Sequence, residues 1–140
     1  MISGLALLGA QQKFSPDGHW VAFSSGESGH PEFCVAPFPG PGPKHQISMA
    51  GGIFPRWRED GKEIFYIGLN GMLMAAEVAI KNGKVELGGT RSLGIPVTHP
   101  HYRYDVSIDG QRFLVAAPRE QKSPAPLTLV QNWTLLLKNK

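Results

Sequence analysis

Three aspartates invite a chemical reading first, because each precedes a glycine in the same local setting: Asp17-Gly18, Asp60-Gly61 and Asp109-Gly110. A set of acids can hold a cation or exchange protons, and acid–base work needs carboxyls whose surroundings drive their pKa values apart. These three recur at equivalent places, so turn formation accounts for them better. Gly tolerates a positive φ and Asp accepts hydrogen bonds from its neighbouring backbone. Arg56-Trp57-Arg58 is a second candidate. Strand alternation sends Trp57 to one face and both arginines to the other, where on an innermost strand they would meet an anionic ligand. The competing reading packs Trp57 between structural units and leaves the arginines solvated. His99-Pro100-His101 sets two imidazoles on one face of an extended segment, with Asp105 nearby, yet supplies no third metal ligand and reads as a loop. Gly26-Glu27-Ser28-Gly29-His30 imitates a nucleophile setting but falls in a polar turn, and His19, His30 and His45 stand in or beside turns as solvated residues. Cys34, the single cysteine, lies in the apolar run Phe33-Cys34-Val35-Ala36 and reads as a small core residue. No phosphate loop, nucleophile elbow or kinase catalytic motif occurs. The expectation is therefore no catalytic residue, no cofactor and no metal, with Arg56 and Arg58 as the candidate ligand contacts.

The elements that must position these residues repeat. Phe14–Ser24, Trp57–Ile67 and Val106–Ala116 each spell a short strand, an Asp-Gly turn and a more apolar strand, with turns 43 and then 49 residues apart. A strand-and-turn unit of that length predicts β-propeller blades. The fold class expected is all-β: a partial β-propeller of about three four-stranded antiparallel blades, at about 11–50, 51–97 and 98–137. Seventeen glycines and twelve prolines among 140 residues suit short strands and tight turns. With 41% hydrophobic and 18% charged residues, wholesale disorder is excluded. A net charge of +3, scattered except for Lys138-Asn139-Lys140, does not indicate nucleic-acid binding. The run Leu5–Ala10 is too short to span a bilayer, and no other segment approaches that length, so no membrane insertion is expected.

Within blade two, strands are expected at Ile53–Trp57, Ile64–Ile67 and Met72–Ile80, then Lys84–Leu87 after an Asn82-Gly83 turn, with Thr90–Leu93 as a separate outer strand. Phe14, Phe23, Phe33, Phe65, Tyr66, Phe113 and Trp133 are expected to pack the blades. Closed propellers have four to eight blades, and three alone would expose apolar faces. The chain is thus expected to be a piece of a longer protein, with a homodimer completing a six-blade ring as the way it persists alone.

The Asp-Gly repeats resemble the TolB-type, WD-like propeller repeat. A closer resemblance rests on Pro37–Gly42, Pro55–Tyr66, Tyr104–Val115 and Leu127–Trp133, which look like the C-terminal blades of bacterial eukaryotic-like serine/threonine protein kinases bearing a TolB-like propeller. That likeness implies a non-catalytic sensory or binding module outside the cytoplasm, linked to a kinase domain that this chain lacks. Its departures include Ile108 where a proline usually precedes Asp-Gly. Two other readings remain: the propeller of a prolyl-oligopeptidase-type hydrolase, and a periplasmic TolB-like scaffold for a protein partner.

Overall fold

The computed structural model describes residues 12–97 and 104–116, together with the backbone of residues 128–131. Every regular element in these ranges is a strand. Blade one comprises β1 (Lys13–Phe14), β2 (Trp20–Ser25), β3 (Glu32–Pro37) and β4 (His45–Gln46), paired in that order. Blade two comprises β5 (Ile53–Trp57), β6 (Glu63–Ile67), β7 (Met72–Lys81) and β8 (Lys84–Pro96), also in order. The third sheet runs β9 (Tyr104–Val106), β10 (Arg112–Val115) and β11 (Thr128–Gln131), so three strands of this blade are described. All pairings are antiparallel. The chain is an all-β partial propeller. Leu5–Ala10, His99, His101, the 118–126 loop, Trp133 and the 135–138 ending lie outside the described residues.

Alternation along β6 explains how the blades stack. Ile64 and Tyr66 face blade one in a core with Trp20, Phe33, Val35 and Ile47. Phe65 and Ile67 face blade three in a second core with Leu73, Leu93, Tyr104 and Phe113. Phe33 and Tyr66 approach to 4.5 Å between ring centroids, and Phe65 meets Phe113 edge-on at 4.9 Å. Each such fully buried side chain contributes about 1.5–3 kcal/mol. Blade two is therefore sealed on both faces.

The structure departs from the expected pattern in three places. Residues 84–96 form one continuous strand, not two, because Gly88-Gly89 and Gly94 absorb irregularities in the pairing with β7; Gly94 does so at φ 70°. Phe14 does not pack between blades: it is 57% exposed and stacks edge-on with Phe38 at the rim of blade one. His45 is half-buried, tilted against Trp20 rather than solvated. His30 is exposed, but its Nδ1 lies 3.0 Å from a carboxylate oxygen of the buried Glu32. Glu32 also accepts hydrogen bonds from the Ser48 hydroxyl and the Gly51 amide, and so ties blade one to the segment that leads into blade two.

Candidate ligand-binding groove

The three Asp-Gly segments fold alike. In each, the residue two before Asp accepts a hydrogen bond from the Gly amide, giving Gly18 to Ser15, Gly61 to Arg58 and Gly110 to Ser107, at 2.8–2.9 Å. The residue five on closes the loop, Trp20, Glu63 or Arg112. These are four-residue loops with Gly in the left-handed region, at φ 74°, 71° and 68°, not two-residue turns. Each Asp carboxylate also accepts the amide two residues on, from His19, Lys62 or Gln111. The aspartates thus act as turn formers in three separate loops. Their pKa values all fall: Asp17 chiefly through the Ser15 hydroxyl, Asp109 chiefly through the Ser107 hydroxyl, and Asp60, to about 2, chiefly through Arg58.

Blade two replaces the loop serine with arginine, and the chemistry changes. Arg58 reaches Asp60 through Nε at 2.8 Å and Nη2 at 2.5 Å, and Glu63 Oε2 through Nη1 at 2.6 Å. The other oxygen of Glu63 accepts from Arg91 Nη2 on β8 at 2.5 Å, and Arg91 Nη1 lies 3.6 Å from Glu77. Glu63 is only 4% exposed, and two guanidinium groups satisfy it. Charge-assisted pairs of this geometry are the strong kind. The stem of Arg58 continues to blade three, where a Cβ added at Gly110 would come within 2.5 Å of its Cδ.

Alternation of the arginines holds as expected, with Arg56 and Arg58 turned toward blade three and Trp57 toward blade one. Trp57 packs between the blades and donates its indole N–H to the Lys13 carbonyl at 3.1 Å. Arg56 stands 5.9 Å over the Tyr104 ring and donates to the Pro55 carbonyl at 3.2 Å. Tyr104, its hydroxyl pKa raised by burial, donates to the Phe54 carbonyl at 2.7 Å. Phe54 sits at φ 56°, beside the irregularity in β5. Arg56 is thus engaged in the contact between blades two and three, whereas the Arg58 guanidinium is committed to carboxylates of its own blade and only its stem lies beside blade three.

Beside this network opens a groove of about 930 Å³. One wall is the blade-one loop, Ser15 to Asp17, and the other is the blade-two loop from Arg58 to Glu63. Its floor is Trp57 with Val78, Ala79 and Ile80 of β7. The strand β7 pairs with β6 only as far as Glu77, then runs on with β8 as an arm ending at Asn82-Gly83. Both tip residues have positive φ, 52° and 71°, the type I′ turn that Asn-Gly favours. Among the described residues no group of three or more His, Cys, Asp or Glu is arranged to hold a metal, and no helix is long and apolar enough to cross a membrane.

Among solved structures, TolB from Acinetobacter baumannii matches with a TM-score of 0.57 and 21% identity over 92% of this chain. The chain has a TolB-like propeller fold. It spans 30% of the length of that TolB. A putative 6-phosphogluconolactonase from Bacteroides uniformis also matches, with a TM-score of 0.49 and 22% identity over 74% of this chain and 31% of its own. No protein-family model matches the chain, and no curated protein does so.

The sequence reading missed Glu63 and Arg91, which anchor the wall of the groove. A signal was present. Arg58 and Glu63 stand where the other two repeats carry Ser15 with Trp20 and Ser107 with Arg112. Cys34 is buried as expected, and burial raises its thiol pKa.

Proposed function

We propose that this chain is a non-catalytic binding or sensory module, the C-terminal propeller portion of a receptor-like bacterial serine/threonine kinase, working outside the cytoplasm. The observation that carries the binding role is the groove itself, an open cleft between blades with an apolar floor and charged walls. Such a combination of apolar surface and a few placed polar groups is what a ligand site needs. The kinase association rests on the resemblance of Pro55–Tyr66, Tyr104–Val115 and Leu127–Trp133 to that family's closing blades. It is tested by determining the complete transcript that encodes this chain. A kinase domain and a membrane-spanning segment on the same polypeptide is the expected result. An α/β-hydrolase domain with a nucleophile elbow would replace this reading with the peptidase propeller, and a signal peptide without a kinase would replace it with the free scaffold.

The partner that completes the stack is proposed to be a second copy. Light scattering across a concentration series is expected to give about 30 kDa, twice the 15.2 kDa chain. A monodisperse monomer would overturn the six-blade ring.

A further inference from the structure

The arm of β7 and β8 leaves a strand edge open inside the groove. The tip turn makes Lys81 and Lys84 the closing pair, so Ile80 and Val85 form a non-hydrogen-bonded pair, as do Val78 and Leu87. The amides and carbonyls of Val78 and Ile80 therefore point away from β8. The Val78 amide is met by the Lys62 carbonyl at 2.9 Å, the last bond from the β6 side. Two residues further on, the outward amide and carbonyl of Ile80 have no protein partner among the described residues. An exposed edge of this kind is a template for another extended chain. This one faces the floor of a groove rather than open solvent.

Charge sets the character of the incoming chain. Asp17 on the blade-one wall and Glu59 on the blade-two wall make no ion pair among the described residues. The cations there are largely spent: Arg58 on Asp60 and Glu63, and Lys81 on Glu86 at 3.0 Å. Arg91 neutralises Glu63 and approaches Glu77. Lys62 is the opposing charge, on the same rim as Glu59. The lining is thus acid-rich over an apolar base.

We propose that β7, through the open amide and carbonyl of Ile80, binds an extended segment of a partner protein by strand addition, seating an apolar side chain on Trp57 and Ile80 and a basic one between the walls at Asp17 and Glu59. Main-chain hydrogen bonds give affinity in this mode and alternate side chains give specificity. The site deepens the binding-module reading and rests on it.

The test uses the full 140-residue chain, labelled with ¹⁵N, and the capped peptide acetyl-Thr-Val-Lys-Val-Thr-amide as probe. The expected dissociation constant is about 0.1–1 mM, the range open to a short unconstrained peptide. The Ile80 amide should shift most. Replacing the probe's Lys by Glu, or N-methylating the amide that would meet Ile80, should each weaken binding about tenfold, as the loss of one charge-assisted or main-chain hydrogen bond would. Ile80→Pro should do the same without costing the fold a ladder bond, since that amide is not used by β8. Glu59→Lys, at an exposed position, provides a second variant that leaves the fold intact.

Binding indifferent to N-methylation overturns strand addition, and binding indifferent to Lys→Glu overturns the charge assignment. Shifts confined to the Arg56 side overturn this site while leaving the binding-module reading standing. Failure of the probe to shift any amide overturns the site and withdraws the groove's support for that reading. If Ile80→Pro instead abolishes a concentration-dependent dimer, the edge serves a second copy, and the partner-segment proposal falls.

Discussion

The Asp-Gly loops of blades one and three close on themselves, whereas that of blade two reaches outward. At Ser15 and Ser107 a hydroxyl donates to the nearby Asp and accepts the amide five residues on, at 3.0 Å in both cases, so every bond stays within the hairpin. At Arg58 the same backbone carries a side chain that binds its own Asp and also Glu63, which in turn holds Arg91 from β8. The backbone of the repeat needs only Asp and Gly. The position two before Asp is free to serve a different purpose, and blade two uses it to brace its outer strand and to touch blade three at Gly110. A departure within a repeat thus marks where local geometry has been given over to long-range tethering.

The comparison breaks most visibly at Glu63. Glu63→Ala leaves two guanidinium groups without their shared carboxylate. Removing one partner of a fully buried pair costs about 3–5 kcal/mol, reduced here to about 2–3 because both arginines reach water. Chemical denaturation should show that loss, with Arg91→Ala costing less. A loss below about 0.5 kcal/mol would mean that the blade-two network is no more than surface decoration.

Glycine substitutions sharpen the contrast next. Gly18→Ala and Gly110→Ala carry the same penalty of roughly 1 kcal/mol for a left-handed non-glycine residue. Only Gly110→Ala also collides with the Arg58 stem, while nothing lies within 4 Å of a Cβ at Gly18. Its total cost should be about 2–3 kcal/mol. Combining it with Arg58→Ala should return part of that loss, a positive coupling readable in a double-mutant cycle. Strict additivity would deny the contact between the two loops.

The smallest effect is in acid. Asp60 has its pKa depressed from 3.8 to about 2 by the Arg58 hydrogen bonds, so its contribution is complete above about pH 4 and is lost as pH falls toward 2. Because Asp60 is exposed and Arg58 is only partly covered, solvent screens the pair and that contribution is about 0.5–1 kcal/mol. Asp60→Asn should flatten the stability profile between pH 4 and 2. An unchanged slope would assign the acid sensitivity to other carboxylates.

What the sequence disclosed and what it concealed divide along the range of the interactions. Turn glycines, Asp side chains and the apolar run Ile64–Ile67 act within a few residues, so pattern alone located the hairpins and this strand, while the alternation of Arg56, Trp57 and Arg58 gave the faces of β5. Glu63 and Glu32 open strands and look like solvated ends, yet each is buried with partners that include ones 15 or more residues away, Arg91 for one and Ser48 with Gly51 for the other. Nothing local announces those partners. The strands expected at Lys84–Leu87 and Thr90–Leu93 join into one for the same reason: whether a glycine pair such as Gly88-Gly89 ends a strand or bends it depends on the strand beside it. Phe14 was misplaced because aromatic character predicts burial on average, while its position on an edge strand left it at the rim.

The single-sided burial of β10 bears on the order in which the chain comes apart. Residues 63–67 of β6 are buried throughout, whereas in β10 Phe113 and Val115 are covered while Arg112 and Leu114 are exposed. A stack held by nearest-neighbour interfaces frays from its more weakly covered member. Through its described residues blade three packs on blade two alone, whereas blade two packs on both neighbours, so blade three is expected to detach at lower free energy. Amide hydrogen exchange would register this as faster exchange at Phe113 than at Phe65, with the stacked aromatic pair parting before either sheet unravels.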